Sequence, residues 1–285
     1  MTDVLLKLEQ VSYRYPDGTN ALSGCSLVIR QGKRTVVLGA NGAGKTTMFL
    51  HLNGILRPSA GQVFYGGVPL DYSRSGIREL RSRIGLVFQN PDSQLFSASV
   101  REDVSFGPMN LGLEKRIVEE RVAAALHAVR MTECADKPVH NLSYGQKKRV
   151  CIAGVLAMQP GLIVLDEPMS GLDAAMQREL LAVLERLHAD GMTVVIATHD
   201  LDFAYEWADD AIVLQKGKLL AQGTAAVLLQ QTEVQAELGA SPVIADIAAS
   251  LALTGMAVRD KGYLPRSRRE LLAAISAFHR QESDR

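Results

Sequence analysis

The chain lacks what a metal-stapled or secreted protein needs. Only three cysteines, Cys25, Cys134 and Cys151, stand in 285 residues. Their spacing fits no metal-ligand pattern, and an odd number leaves one unpaired in any disulfide scheme. All three sit among apolar neighbours, which predicts buried, reduced thiols in a cytosolic protein. An excess of either charge is lacking too: Lys+Arg and Asp+Glu both number 31. That balance argues against a dedicated nucleic-acid binder, which carries a basic excess. No run reaches the roughly 18 apolar residues of a membrane span. The most apolar late stretch, 245–258, is broken by Asp246, Ser250, Thr254 and Gly255. Met1-Thr2-Asp3-Val4 does not open like a signal peptide. Internal repeats and low-complexity segments are missing as well. What remains is an ordinary globular balance, 47% hydrophobic and 22% charged. The expectation is a soluble protein of one large or two modest domains that could still dock on a membrane protein.

What is present is organised around Gly39-Ala40-Asn41-Gly42-Ala43-Gly44-Lys45-Thr46. An apolar run, 35–38, precedes it and reads as a buried strand. Residues 47–52 follow as the start of a helix. Strand, glycine-rich turn and helix make the context of a phosphate-binding loop. Glycines let backbone N–H groups converge on phosphate oxygens, and the helix N-terminus adds unpaired donors and positive dipole. Lys45 would bridge the β- and γ-phosphates, and the Thr46 hydroxyl would hold Mg²⁺.

Around this loop the pattern alternates between strands and helices. Residues 5–15 and 25–30 read as an antiparallel hairpin about a Pro16-Asp17-Gly18 turn. A hairpin leading into the phosphate-loop strand predicts a mixed sheet. Tyr13 and Tyr15 share parity; either is a sheet residue or an adenine-stacking ring, with position favouring Tyr15. Residues 62–65 are a short strand, 77–83 a basic helix and 84–88 a strand ending in Gln89-Asn90-Pro91. A glutamine there is equally a strand-ending turn and a ligand at a sheet edge. From 92 to 159 strand signals vanish, which predicts an inserted helical subdomain. Ile117, Val122, Ala125, Leu126 and Val129 form its apolar stripe.

Ser143 reads as a helix N-cap with Gln146 closing a capping box. Together with Gly145 it makes a second anion-binding helix end, or, taken alone, a capped helix and no more. The buried strand 162–165 delivers Asp166 and Glu167: the first suits Mg²⁺ through water, the second a nucleophilic water. Ser170-Gly171-Leu172-Asp173 opens the helix 174–189. The strand 193–197 ends near His199, either a structural histidine or a γ-phosphate contact. Helix 201–207 and a hairpin about Lys216-Gly217 close the main unit. Beyond about 230 the composition shifts. Ser241 as N-cap with Pro242 starts one helix, 254–265 is a loop, and a Ser267–Glu270 capping box starts another that presents Leu271, Leu272, Ile275 and Phe278. Neither helix can bury itself alone, so each packs on the main domain or on a copy of it.

In register, these motifs resemble the ATP-binding subunit of an ATP-binding-cassette (ABC) transporter over residues 3–230. Gly39–Thr46 matches Walker A, Gln89 the Q-loop, 142–146 the signature, 162–167 Walker B, 170–173 the D-loop and His199 the switch histidine. Residues 88–96 and 142–149 are similar to the energy-coupling-factor group, and within it to the CbiO-type cobalt/nickel import ATPases. The fold implied is a P-loop α/β ATPase with a mixed sheet, an antiparallel β subdomain, a helical insertion at about 92–159 and a C-terminal helical extension, 231–285.

The resemblance implies that Gly39, Ala40, Asn41, Gly42, Ala43, Gly44, Lys45, Thr46 and Thr47 bind ATP, with Tyr15 on adenine. Thr46, Gln89 and Asp166 would hold Mg²⁺, while Glu167, His199 and Gln89 serve hydrolysis. Ser143, Tyr144, Gly145 and Gln146 would face the ATP of a second ATPase subunit, with Asp173 in the D-loop. The implied partners are that second copy, a transmembrane coupling subunit and a substrate-capture membrane subunit, at the cytoplasmic face of the cell membrane. Cobalt is the implied cargo, with nickel or a vitamin as alternatives. A soluble, non-transport ABC ATPase is the alternative of another class; those usually carry a long coiled-coil insertion or two fused cassettes. The general family pattern has Gly where this chain has Tyr144.

Overall fold

A computed structural model describes residues 3–253 and 264–283. The chain opens with strands β1 (Val4–Arg14), β2 (Asn20–Arg30) and β3 (Arg34–Leu38), then helix α1 (Lys45–Leu52). Strands β4 (Ala60–Tyr65) and β5 (Val68–Pro69), helix α2 (Arg74–Arg83) and strand β6 (Ile84–Val87) follow. The insertion supplies α3 (Val100–Asn110), α4 (Lys115–Ala128) and α5 (Tyr144–Leu156). The chain then alternates through β7 (Leu162–Asp166), α6 (Ala174–Ala189), β8 (Thr193–Ala197), α7 (Leu201–Trp207), β9 (Asp210–Gln215) and β10 (Lys218–Thr224). It finishes with α8 (Ala225–Leu228), α9 (Thr232–Leu238), α10 (Val243–Leu253) and α11 (Arg268–Ser283).

Two sheets form. One is antiparallel, ordered β2-β1-β4-β5; the other has six strands, ordered β10-β9-β3-β8-β7-β6. The larger sheet is mixed as expected, but for a different reason. The first hairpin belongs to the separate antiparallel sheet, and the antiparallel member of the larger one is β10, paired with β9. The sheets are tied where the Val28 N–H donates to Gln222 Oε1 at 3.1 Å and the Gln222 amide donates back to the Val28 carbonyl.

Short apolar strands are buried here on both faces, as parallel sheets require. Period-two geometry divides their side chains between two cores. Val37, Leu162, Val164, Val195 and Ile212 face the antiparallel sheet and α1, where Leu6, Leu8, Met48, Phe49 and Leu52 meet them. Val36, Leu38, Ile163, Leu165, Val194 and Ile196 face the helices, against Val150, Ile152, Leu180 and Leu184. The α4 stripe is Val118, Val122, Ala125 and Leu126, continued by Val129 just beyond the helix. Ile117, expected in it, lies one step off that face and is only half-buried.

Strands β3, β6, β7 and β8 run parallel, so their carboxyl ends share one edge. The segments that follow them carry Gly39, Gln89, Glu167 and His199. This is the edge where open α/β sheets bind ligands.

The C-terminal helices pack on the main unit through Ala245, which joins the helix-side core, and through Arg266, whose Nε donates to the Tyr205 carbonyl at 2.8 Å. Ser241 is not the cap of α10: its hydroxyl bonds the Asp246 carboxylate, and the Val243 N–H donates to Asp202 Oδ1 at 2.7 Å instead. The Asp202 carboxylate, a stronger acceptor than a hydroxyl, takes the first N–H of the helix. The Ser267 hydroxyl does cap α11, accepting from Glu270 N–H at 3.2 Å, while the Glu270 carboxylate reaches past Ser267 to the Arg266 N–H at 2.8 Å. Of the expected loop, 254–263 lie outside the described residues, as does the side chain of Phe278.

Candidate active site

One cavity of about 650 Å³ gathers Gly39 through Thr47 with Tyr15, Gln89, Asp166, Glu167 and His199. Its floor is the glycine-rich turn. Gly44 holds φ +103°, and a Cβ there would lie 2.7 Å from the Ala21 carbonyl oxygen. Only glycine lets the loop run so close to β2 in that conformation. No side chain caps α1, so its first N–H groups point toward the cavity. Lys45 is buried, and its Nζ donates to the Gly39 carbonyl at 2.6 Å and the Ala40 carbonyl at 3.3 Å. A cationic floor beneath unpaired amides is an anion site.

Across the cavity the Thr46 hydroxyl donates to Asp166 Oδ2 at 2.6 Å. A hydroxyl and a carboxylate brought together at a strand end are the hard oxygen donors that suit Mg²⁺, with phosphate oxygens and water completing the shell. Glu167 follows in the left-handed region, φ 45°. That conformation costs a non-glycine residue of order 1–3 kcal/mol, and such residues cluster at active sites. Its N–H donates to the Ala197 carbonyl at 3.1 Å, turning the side chain away from β7 and toward β8. There Glu167 Oε2 meets His199 Nδ1 at 3.0 Å. The carboxylate is 13% exposed and the imidazole 79%, so the histidine meets an inward-set glutamate from the solvent side.

Tyr15 lies just past the end of β1, where strand parity no longer binds it. Its hydroxyl pairs with Thr47 Oγ1 at 3.1 Å, and its ring meets Tyr13 edge-on at 5.0 Å. Tyr13 instead packs against His51 in the sheet-side core.

The signature residues stand apart from this cavity. Ser143 and Gln146 form the expected box: the serine hydroxyl accepts from Gln146 N–H at 3.3 Å, and Gln146 Oε1 accepts from Ser143 N–H at 3.0 Å. Ser143 is exposed at the tip of α5. Gly145 is buried where α5 packs on α6; a Cβ there would sit 2.8 Å from Met176 Sδ, and the flexible methionine would have to yield. Tyr144 lays its ring beside Gly171 and over the Lys148 ammonium at 5.2 Å, with its hydroxyl 3.4 Å from the Gln89 carbonyl. Asp173 caps α6, its Oδ1 accepting from Ala175 N–H at 2.9 Å and Met176 N–H at 2.8 Å. The cysteines are free and buried; burial pushes the Cys25 thiol up to about 11 and Cys151 to about 12. Thiols so far from ionisation are inert.

Two features went unseen in the sequence. Glu237 and Leu238, on α9, reach the cavity rim, and nothing local marks them. Lys148 is buried, and its Nζ donates to the carbonyls of Glu167, Pro168 and Ser170. Its spacing from Ile152 and Val155, i, i+4 and i+7, could have placed it on the core face.

Known proteins agree with this geometry. The ABC transporter family model matches residues 22–170. The chain is 46% identical over 270 residues to the energy-coupling factor transporter ATP-binding protein EcfA of Methanothermobacter thermautotrophicus, covering 94% of this chain and 86% of that one. It is 44% identical to the cobalt import ATP-binding protein CbiO of Rhodobacter capsulatus over 97% of this chain and 99% of its relative. Among solved structures, CbiO of Clostridium perfringens, part of the transporter complex CbiONQ, superposes with TM-score 0.75 at 43% identity, covering 89% and 98% of the two chains. A dimeric ATP-binding cassette holding ADP and Pi superposes with TM-score 0.70 at 27% identity over 78% and 99%. Phosphate loop, acidic strand end and detached signature thus occur on the fold of a known kind of ATPase, and the chain belongs to the ABC transporter family of ATP-binding, ATP-hydrolysing proteins.

Proposed function

We propose that the chain is the ATPase subunit of an energy-coupling-factor-type importer whose cargo is a transition-metal ion, cobalt before nickel or a vitamin. The observation that carries the reading is the separation of Ser143 and Gly145 from a cavity that otherwise holds every expected nucleotide residue. A γ-phosphate bound on Lys45 and the α1 amides needs donors on its open side. A second copy, turned so that its α5 tip meets this loop, supplies them. The relatives EcfA and CbiO support the transport class, and the CbiO likeness over nearly the whole of both chains supports cobalt.

In this reading Glu167 accepts a proton from the attacking water, worth about 10²–10⁴-fold. His199 orients that carboxylate and touches the γ-phosphate; Gln89 contacts the same region from the segment after β6. Thr46, Asp166 and Gln89 hold Mg²⁺, which when bound neutralises charge on the phosphate oxygens. Tyr15 stacks on adenine. A groove between α2, β6 and α3, lined by Ile55, Ile77, Phe88, Phe96 and Phe106, is the docking surface for a membrane subunit on the cytoplasmic side. Phe96 and Phe106 are exposed and pack edge-on at 4.7 Å, an apolar tip that water alone does not favour. Exposed Val243, Ile247 and Leu272 on the 231–285 extension support its role in strengthening the dimer.

The test is reconstitution with a transmembrane coupling subunit and a substrate-capture membrane subunit, comparing labelled cobalt and nickel uptake. Glu167→Gln is expected to keep ATP binding and dimerisation while turnover and uptake fall about 10²–10⁴-fold. Near-normal turnover in that variant, or an ATP-loaded chain that sediments as a monomer, overturns the reading; nickel carried in preference to cobalt corrects the cargo.

A further inference from the structure

Helix α5 carries three charged side chains that no site role above uses: Lys147 and Arg149 pair with Asp92 and Glu179, and Lys148 points inward. Lys148 is 3% exposed, on the second turn after Ser143. Its Nζ donates to the carbonyl oxygens of Glu167 at 3.1 Å, Pro168 at 2.8 Å and Ser170 at 2.7 Å. An ammonium has three N–H donors, and here each has a backbone acceptor. Those acceptors all lie in the turn between β7 and α6. That turn contains the left-handed Glu167 and is otherwise closed by the Ser170 N–H to the Glu167 carbonyl at 3.2 Å, the Leu172 N–H to the Met169 carbonyl at 3.3 Å, and the Gln177 amide to the Met169 and Leu172 carbonyls; of the carbonyls that Lys148 holds, only the Glu167 one shares in these bonds. Tyr144 roofs the ammonium with its ring and rests on Gly171 in the same turn.

We infer that Lys148 is a positioning residue for ATP hydrolysis: it clasps three carbonyls of the β7–α6 turn and so aims the Glu167 carboxylate into the nucleotide cavity. The inference rests on the reading of Glu167 as the group that activates water. Its consequence concerns communication. The α5 tip meets the nucleotide held by the second copy, while Lys148, one turn along the same rigid helix, holds Glu167 of its own chain. Contact at one nucleotide is thereby transmitted to the carboxylate at the other through three hydrogen bonds. A neutral side chain of the same length would fill the space, take the donor from the Pro168 and Ser170 carbonyls and leave the Glu167 carbonyl with the Ser170 N–H alone.

The experiment uses the full chain with Mg-ATP and measures kcat, KM and the Kd for labelled ATP. Lys148→Met keeps the aliphatic stem and removes every donor. The expected result is a kcat at least tenfold lower with KM and Kd within twofold of wild type. Lys148→Arg, which retains charge and donors, recovers at least threefold over Lys148→Met. Added to Glu167→Gln, Lys148→Met causes no further loss of turnover, because residues that act as a unit are not additive. A kcat within twofold of wild type, a parallel loss of ATP binding, or an arginine variant no better than the methionine one overturns the inference. Should Lys148→Met fail to fold, Lys148→Leu, which also carries no donor, replaces it with the same outcomes. Full turnover in Glu167→Gln would instead remove the reading of Glu167, so the two failures are distinct.

Discussion

Lys45 and Lys148 are both buried lysines in the first two turns of a helix, and both give their N–H groups to backbone carbonyls. Their surroundings differ. Lys45 bonds two carbonyls of its own loop, one of them at 3.3 Å, and opens onto a cavity of about 650 Å³. Lys148 bonds three carbonyls of a distant turn and is roofed by a tyrosine ring. The helix ends differ in the same sense. No side chain caps α1, whereas Ser143 and Gln146 close a full capping box on α5. A lysine whose partners are few and whose helix is uncapped is held ready for a ligand. A lysine whose donors are all satisfied inside the fold holds the fold itself. Burial alone therefore does not separate a binding lysine from a positioning one; the count of internal acceptors does.

The sharpest way to break this contrast is Lys45→Met. It removes the cation beneath the phosphates, and donors aimed at phosphate charge are worth about 10²–10³-fold each. Affinity for ATP and turnover should fall together by that factor, read by labelled-nucleotide binding and phosphate release. The melting temperature should fall less than in Lys148→Met, because Lys45 bonds only one buried carbonyl, that of Gly39, and reaches the Ala40 one, on an exposed residue, at 3.3 Å. A large loss of stability with intact ATP binding would make Lys45 a structural lysine like Lys148, and the contrast would dissolve.

The contrast also marks what was legible in the sequence. Gly39–Thr46 is contiguous, so strand, turn and helix could be read together. The strands 193–197 and 162–165 showed as apolar runs because both of their faces are buried. Asp166, Glu167 and His199 followed from their places at strand ends. What stayed hidden depends on contacts between distant segments. The carbonyls that Lys148 clasps lie 19, 20 and 22 residues downstream. Tyr144 faces Gly171 and Gln89, neither of them near it in the chain. Sheet membership of the first hairpin is non-local too, since β1 and β2 precede β3 directly and yet join another sheet. Ile117 and Val118 both fit an apolar stripe to within one step, and only the neighbours of α4 choose between them.

The next effect in size is an alkaline loss of turnover. Burial lowers the Lys148 pKa from 10.5 to about 8, against the Glu167 carboxylate and the weakly acidic Cys151 thiol, which favour the ammonium. The groups facing it are thus Glu167 from the turn and Cys151 and Tyr144 from α5, with Asp103 behind Cys151. The ammonium fills all three carbonyls; the free amine presents a lone pair to one of them. Turnover should therefore be full well below 8 and fall about tenfold per pH unit above it, the slope of a single ionisation. Between about 8 and 10.5 the native state binds fewer protons at Lys148 than the unfolded chain does. From this group alone stability rises with pH across that window, opposite in sign to the rate. A rate that falls while the melting temperature holds separates titration of Lys148 from unfolding. Lys148→Arg should lose the limb, since its guanidinium stays charged.

The smallest effect asked of the comparison falls on Tyr144. Two terms compete when Tyr144→Ala removes the roof over Lys148. Losing the cation–π contact, about 0.5–2 kcal/mol, disfavours the ammonium and would lower its pKa. Admitting water relieves desolvation, the leading cause of the fall from 10.5 to about 8, and would raise it. At 1.36 kcal/mol per unit the first term is worth at most about one and a half in pKa. The whole fall is larger than that and has burial as its first cause, so solvent wins. The alkaline limb should move up by less than about one pH unit, because the three carbonyls stay in place. The kcat below the limb should change by no more than about threefold, since the 3.4 Å contact from the Tyr144 hydroxyl to the Gln89 carbonyl is at the edge of hydrogen-bonding range. A pH profile of turnover for wild type and Tyr144→Ala reads both quantities. A limb that stays put while kcat drops would mean that Tyr144 works through Gln89 or Gly171. The shielding of Lys148 would then come from α5 and the turn alone, and the tyrosine would have no part in what sets the two lysines apart.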